Sequence, residues 1–140
     1  MRAYEIRDGF GLDHLMMTER PIPQPGPGQV LVRMTAATLN YRDLLVVEGS
    51  YNPKLRLPMV PVSDGAGVIE AVGEGATRFR PGDRVVSIFF QGWLEGEATT
   101  EKLATGLGAN LGGVSCEYRV FDQSGLLKHR ILNRTHSRRP

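Results

Sequence analysis

The sequence predicts a mostly β domain in which short strands form a partly open barrel or sandwich. Three observations predict this fold class: the strand candidates are short and rich in Val and Ile, glycine–proline turns separate them, and one segment alone has the pattern of a helix. The length of 140 residues is that of one domain. We expect loops or a partner domain to cover the edges of such a sheet.

The first strand candidate spans residues 28–40, where apolar and polar side chains alternate. This two-residue period is typical of a half-buried strand. One face carries Val30, Val32, Met34 and Ala36, and the other carries Gln29, Arg33 and Thr35. The preceding residues 21–28 are rich in proline, which cannot donate to a β-ladder, so we expect a loop or an extended edge there.

Three more segments are strand candidates: residues 66–72, 84–89 and 116–121. Residues 81–83, Pro-Gly-Asp, form a predicted turn between the first two. Along the third segment, alternation predicts a buried face made of Cys116, Tyr118 and Val120.

Residues 41–48 are the only predicted helix. Asn40 can cap its first turn, Asp43 lies in that turn, and Gly49 ends the helix. The short helix therefore interrupts the run of strands after the first long strand candidate.

The net charge of +2 arises from the end of the sequence. Residues 130–140 hold four of the 17 basic side chains and no acidic one, which leaves 13 basic against 15 acidic side chains, a net charge of −2, in the rest. Because these arginines have no aromatic residues between them for base stacking, we expect no nucleic-acid partner. No apolar run approaches the ~20 residues of a membrane span, and residues 1–10 lack the apolar core of a signal peptide, so we expect a soluble, cytoplasmic protein with no membrane partner.

Two glycine-rich stretches, residues 73–78 and 106–111, do not fit the G-x-G-x-x-G pattern of dinucleotide-binding turns. Pro81 follows the first stretch too closely for the required helix, and Leu111 stands at the sixth position of the second. We expect both to be loops, so the sequence contains no nucleotide fingerprint.

The histidines and the single cysteine do not form a metal-binding pattern. His14, His129 and His136 lack the helical i, i+4 spacing, and Cys116 stands alone. We therefore predict that the chain binds no metal. A nucleophilic Cys116 would need a nearby base and positive surroundings, and its place on a predicted buried strand face favours a structural role instead.

Two runs of residues carry a family resemblance. The first is residues 40–43 (NYRD) continuing to residues 49–51 (GSY), and the second is residues 63–75 (SDGAGVIEAVGEG) with residues 81–85 (PGDRV). Both resemble, in the same order, signatures of the medium-chain dehydrogenase/reductase superfamily. The resemblance extends from residue 1 to about residue 128, and it implies the GroES-like catalytic domain of these nicotinamide-dependent oxidoreductases.

The resemblance implies an enzyme without zinc. Where zinc-dependent alcohol dehydrogenases carry a ligand Cys, a ligand His and the acidic neighbour of that His, this sequence has Asn40, Ser63 and Asp64. Residues 92–113 also lack the four cysteines that hold the structural zinc of those enzymes. The pattern is similar to that of the quinone oxidoreductase branch.

The same resemblance implies roles for individual residues. Tyr51 is similar in position to the proposed proton donor of zinc-free 2-enoyl thioester reductases, with simple packing as the alternative. Asn40 is expected to take part in catalysis and to reach the nicotinamide ribose or carboxamide with its amide nitrogen, which capping leaves free. Tyr41 and Asp43 are further cofactor-binding candidates, although Asp43 can instead tie the helix to a neighbouring loop.

Substrate contacts are expected from Tyr51 and from an aromatic cluster of Phe89, Phe90 and Trp93, which suits a flat conjugated small molecule. An ordinary core beneath a long loop would have the same composition. We expect hydride transfer from NADP(H) or NAD(H) to a carbonyl, a quinone or an activated alkene.

The resemblance also sets expectations for domain organisation. We expect a catalytic domain at residues 1–128, an aberrant or disordered tail at residues 129–140, and no Rossmann domain, which would bind most of the cofactor. The chain alone would then be inactive, and the full-length enzyme would be a homodimer. Two alternatives remain at this point: a non-enzymatic GroES-like module that binds a protein partner, and a basic-tailed nucleic-acid binder.

Overall fold

The computed structural model describes residues 1–130, in which strands predominate over helices. The strands are β1 (Arg2–Ile6), β2 (Leu15–Glu19), β3 (Gln29–Thr38), β4 (Asp64–Val72), β5 (Arg84–Ser87), β6 (Tyr118–Asp122) and β7 (Leu126–Lys128). The helices are α1 (Tyr41–Val47) and α2 (Thr100–Leu103), with short 3₁₀ turns at Leu12–His14 and Gln123–Gly125. Within these residues, no helix has the length and apolar character that a membrane crossing requires.

The strands form two open antiparallel sheets. β1 pairs with β2 in a hairpin, and the other five strands are ordered β6-β3-β4-β5-β7. The long β3–β4 pair runs from Val30 opposite Val72 to Thr38 opposite Asp64, with shifts of register between Leu31 and Val32 and between Met34 and Ala36. The predicted mostly β fold is confirmed.

Two apolar clusters hold these elements together. The larger lies on the five-stranded sheet and includes Val30, Val32, Ile69, Val85, Phe121 and Leu126. The smaller lies under α1 and consists of Ile6, Val46, Val47, Met59 and Ala109. The start of α1 follows the end of β3 directly, and the pairing of Thr38 with Asp64 brings the start of β4 beside it.

The predicted helix is confirmed, whereas the end of one strand differs from the prediction. Asn40 stands at the N-cap of α1, and Gly49 takes a φ of 79° just after the helix. The strand predicted at residues 84–89 ends at Ser87, so Phe89 lies in a loop. Short helix α2, which follows this loop, was not predicted.

The predicted buried face of residues 116–121 is wrong. Phe121 is the core residue of this segment, 2% exposed, whereas Cys116, Tyr118 and Val120 are half-buried. The reason is that β6 lies at the edge of the sheet, beside β3 alone. Alternation gave the period correctly but not which of the two faces meets the core.

The glycine-rich stretches are turns and loops, as predicted, and neither begins a helix. Gly82 has a φ of 93°, as the predicted turn requires. Gly73 is needed for a different reason, since a Cβ there would lie 1.9 Å from the carbonyl oxygen of Gly26. The proposed boundary at residue 128 stays a prediction. Most of the predicted tail, residues 131–140 with His136, lies outside the described residues.

Candidate functional site

The first turn of α1 is closed by Asn40 and Asp43. The backbone N–H of Asn40 donates to Asp43 Oδ2 at 2.8 Å, which is half of a capping box. Asp43 is buried, and its Oδ1 has no hydrogen-bond partner among the described residues. Asp43 had been expected to tie the helix to a neighbouring loop; in the structure its carboxylate closes the first turn of its own helix instead.

A hydrogen-bonded set joins the start of α1 to the start of β4. Asn40 Nδ2 donates to Asp64 Oδ2 at 2.6 Å, and the Ser63 hydroxyl donates to the same oxygen at 2.7 Å. The amide nitrogen of Asn40 had been expected to be free. Instead, one of its two N–H groups donates to Asp64. We call these three residues the polar triad.

The polar triad does not fit a zinc ion. An amide and a hydroxyl replace the thiolate and imidazole that zinc prefers, and the one carboxylate already accepts two hydrogen bonds through the same oxygen. Within residues 1–130, no three His, Cys, Asp or Glu side chains are grouped so that they could hold a metal ion.

An aromatic stack is built around Arg42. Its guanidinium carbon lies 4.5 Å from the Tyr51 ring centroid and 4.6 Å from that of Phe89. Phe89 meets Phe90 edge-on at 4.6 Å between centroids, and Phe90 lies 5.8 Å from Trp93. The structure therefore brings together Tyr51 and the three predicted substrate-contact aromatics, through an arginine that links them.

Local backbone geometry explains why Tyr51 reaches Arg42. The positive φ of Gly49 reverses the chain after α1, and the Tyr51 backbone N–H then donates to the carbonyl of Leu45 at 3.0 Å. This bond folds Tyr51 back beside the helix. The Arg42 side chain is fixed from the other side, since its Nη1 donates to the carbonyl of Leu107 at 3.1 Å.

Sequence reasoning overlooked Arg42. The signal was available, because Arg42 lies inside the NYRD run and in the first turn of the predicted helix. A cation close to predicted aromatic contacts is a candidate for stacking. What the sequence does not supply is the distance between residues 42 and 89, which are far apart in the chain.

The remaining predicted residues are more isolated. Tyr41 is 76% exposed at the first position of α1, whereas Tyr51 is 46% exposed. Cys116 is half-buried, and burial raises the pKa of its thiol, the opposite of what a nucleophile needs. The His14 ring packs against Gly9, and His129 is exposed beyond β7.

Comparison with known proteins identifies the family. The profile of the alcohol dehydrogenase GroES-like domain matches residues 26–131. The chain belongs to this family. It is 44% identical over 126 residues to a zinc-type alcohol dehydrogenase-like protein of Schizosaccharomyces pombe, and 40% identical over 103 residues to the human synaptic vesicle membrane protein VAT-1 homolog.

Solved structures share the fold of this GroES-like domain. A putative alcohol dehydrogenase from Sinorhizobium meliloti superposes with a TM-score of 0.79 at 42% identity, covering 91% of this chain and 38% of that one. A cobalt- and zinc-bound alcohol dehydrogenase from Pyrobaculum aerophilum gives 0.76 at 32% identity, covering 94% of this chain and 42% of that one.

The chain spans between about a quarter and two-fifths of the length of the relatives named above. The 44% identical S. pombe match covers 89% of this chain and 36% of the relative, and the VAT-1 homolog match covers 71% and 26%. The resemblance read from the sequence, to the GroES-like domain of alcohol dehydrogenases and quinone oxidoreductases, is confirmed.

Proposed function

We propose that this chain is the catalytic domain of a zinc-independent oxidoreductase that uses NADPH or NADH to reduce a carbonyl, a quinone or an activated alkene. The observation that carries the proposal is the polar triad, in which Asn40 and Ser63, at the positions similar to the two zinc ligands of related enzymes, both donate to Asp64. A related chloroplastic quinone oxidoreductase of Triphysaria versicolor, 38% identical over 92 residues, supports the substrate class.

Without a Lewis acid, the reaction needs a hydride, a proton and polar groups that stabilise the developing negative charge. A nicotinamide, when bound, supplies the hydride. Tyr51 is the proposed proton donor, because Arg42 fixes its ring while the side chain keeps access to solvent. Phe89, Phe90 and Trp93 form one continuous apolar wall beside it, on which a flat substrate can lie.

The start of α1 fits a nicotinamide cofactor through two side chains. Asn40 keeps one amide N–H beyond the bond to Asp64, and this donor suits a ribose or carboxamide oxygen. Tyr41 projects from the adjacent position and is exposed, so it is available to a planar group. Asp43 acts indirectly here, by holding the backbone of Asn40.

The polar triad also orients Asn40. Ser63 is 1% exposed, so its hydroxyl needs an acceptor, and Asp64 provides one while also accepting from the Asn40 amide. The bond to Asp64 therefore gives the Asn40 amide a direction before any ligand arrives. Pre-organisation of this kind lowers the cost of ordering the donor when cofactor binds.

The test is a chimera of residues 1–128 joined to the remaining part of the S. pombe relative, which is 44% identical to this chain. We expect oxidation of NADPH or NADH in the presence of a quinone, an enone or an aldehyde, without added metal and undiminished by chelator. The control is the unaltered relative. A folded chimera that oxidises neither nucleotide with any of the three substrate classes, while the relative does, would contradict the proposal.

A further inference from the structure

A second recess lies apart from the proposed catalytic site. It is a groove of about 620 Å³, which is within the size range of small-molecule sites. Its walls come from β6, the loop after α1 and the residues around Gly112, and it shares no residue with the polar triad or the aromatic stack.

The charged side chains that line the groove are all basic. Arg20, Lys54, Arg56 and Arg119 line it, and no Asp or Glu does. Arg20 is already paired with Glu5, which lies outside the lining. Among residues 1–130, no ion pair neutralises the other three cations.

Arg119 is the most constrained of these cations. Its Nε is buried without a hydrogen-bond partner, and burial lowers the pKa of its guanidinium. The guanidinium stacks on Phe121 at 4.8 Å, which orients it but supplies no negative charge. Its Nη1 lies beside Gly112, another wall residue, since a Cβ there would be 3.5 Å away. A partly buried charge without a counter-charge carries a desolvation cost, and an anionic ligand would offset it.

We propose that this groove binds a small organic anion, a molecule with a phosphate or carboxylate group, through Arg119 at its base and Lys54 and Arg56 at its mouth. The guanidinium can bind either anion through two parallel hydrogen bonds. Lys54 and Arg56 are exposed and add attraction at the entrance. The organic part of the ligand meets an apolar wall that includes Leu55, Met59 and Val60.

The experiment is calorimetric titration of the 140-residue chain with pyrophosphate and, separately, with citrate, at constant ionic strength. We expect saturable one-to-one binding of at least one of them, and the stronger ligand identifies the anionic group. Arg119→Met should weaken that binding by about tenfold or more, since a charge-assisted bidentate contact is lost. Arg80→Gln, which removes an exposed positive charge outside the groove, should leave the affinity unchanged.

A double variant keeps the test decisive if Arg119→Met does not fold. Lys54→Gln with Arg56→Gln changes two exposed side chains and should weaken binding at least about threefold by removing electrostatic attraction. Absence of saturable binding of both anions to the unaltered chain would overturn the proposal. So would an affinity that the double variant leaves unchanged, or one that Arg80→Gln reduces by as much.

Discussion

At the scale of single residues, the proposed chemistry depends on an arginine that holds a tyrosine. Arg42 is placed between Tyr51 and Phe89 and is anchored to the Leu107 carbonyl, so it fixes the Tyr51 ring without covering its whole side chain. The polar triad does the equivalent for the Asn40 amide. Both arrangements set the direction of a polar group before a substrate is present.

Tyr51→Phe tests the proposed proton donor. In the chimera with the S. pombe relative, we expect turnover to fall by roughly 10²–10⁴-fold, the usual contribution of general-acid help, with little change in cofactor affinity. The phenylalanine ring still stacks on Arg42, so packing is preserved. Steady-state kinetics with a quinone or an enone is the measurement, and a loss well below about tenfold would assign Tyr51 to packing alone.

At the scale of elements, one loop packs so closely against the segment before β4 that a position in the loop has no room for a side chain. Gly113 lies against the segment that precedes β4, and its backbone N–H donates to the carbonyl of Val60 at 2.6 Å. In that segment Val62 has a φ of 75°, which is rare for a β-branched residue. This strained segment leads directly into Ser63 and Asp64, so its placement also sets the polar triad.

Gly113→Ala should destabilise the chain, whereas Gly112→Ala should not. A Cβ at Gly113 would lie 2.2 Å from the carbonyl oxygens of both Pro61 and Val62, which are backbone atoms that cannot rotate away. We expect a loss of roughly 3 kcal/mol in the free energy of unfolding. At Gly112 the nearest atom would be 3.5 Å away, an ordinary contact, so the change should stay within about 0.5 kcal/mol.

Urea denaturation followed by circular dichroism measures both changes on the same chain. The matched pair separates the close approach from the general effect of replacing a glycine. Equal stability of the two variants would contradict the account of this segment, and unfolding of both would show that the loop tolerates no side chain at either position.

The sequence predicted the class of the fold and most of its elements, because alternation, capping residues and turn residues are local signals. The helix at α1 and the turn at Gly82 follow directly from such signals. The error at Cys116, Tyr118 and Val120 has a physical reason, since periodicity cannot tell which face of an edge strand meets the core. The Arg42 stack and the bond from Asn40 to Asp64 join residues distant in sequence, so no local pattern contains them.

At the scale of the whole molecule, the chain spans 36% of the length of its S. pombe relative, and the proposed cofactor site lies at its surface. Residues near that site remain open to solvent, including Leu39 at 77% and Tyr41 at 76% exposure. Phe89, Phe90 and Trp93 are half-buried by one another and by the loop that contains α2. Exposed apolar side chains beside a binding surface are typical of a face that a second domain covers.

We expect the chain alone to bind NADPH and NADH weakly and to lack reductase activity. Most of the affinity for such cofactors comes from pyrophosphate and adenosine contacts in a Rossmann domain, and neither glycine-rich stretch here begins a helix that could supply them. Calorimetric titration of the chain with each nucleotide is the measurement. Dissociation constants in the low micromolar range would contradict this expectation, and would mean that residues such as Asn40 and Tyr41 bind the nicotinamide half unaided.

The central claim, that the polar triad replaces a catalytic zinc, is tested most directly by the metal content of the purified chain. The chain is expressed with zinc in the medium, dialysed against chelator and examined by elemental analysis beside the zinc-binding alcohol dehydrogenase of Pyrobaculum aerophilum as the positive control. The account predicts zinc far below stoichiometric amounts, because Asn40 and Ser63 offer no thiolate or imidazole and Asp64 is already bonded to both. About one zinc ion per chain that resists the chelator would contradict it.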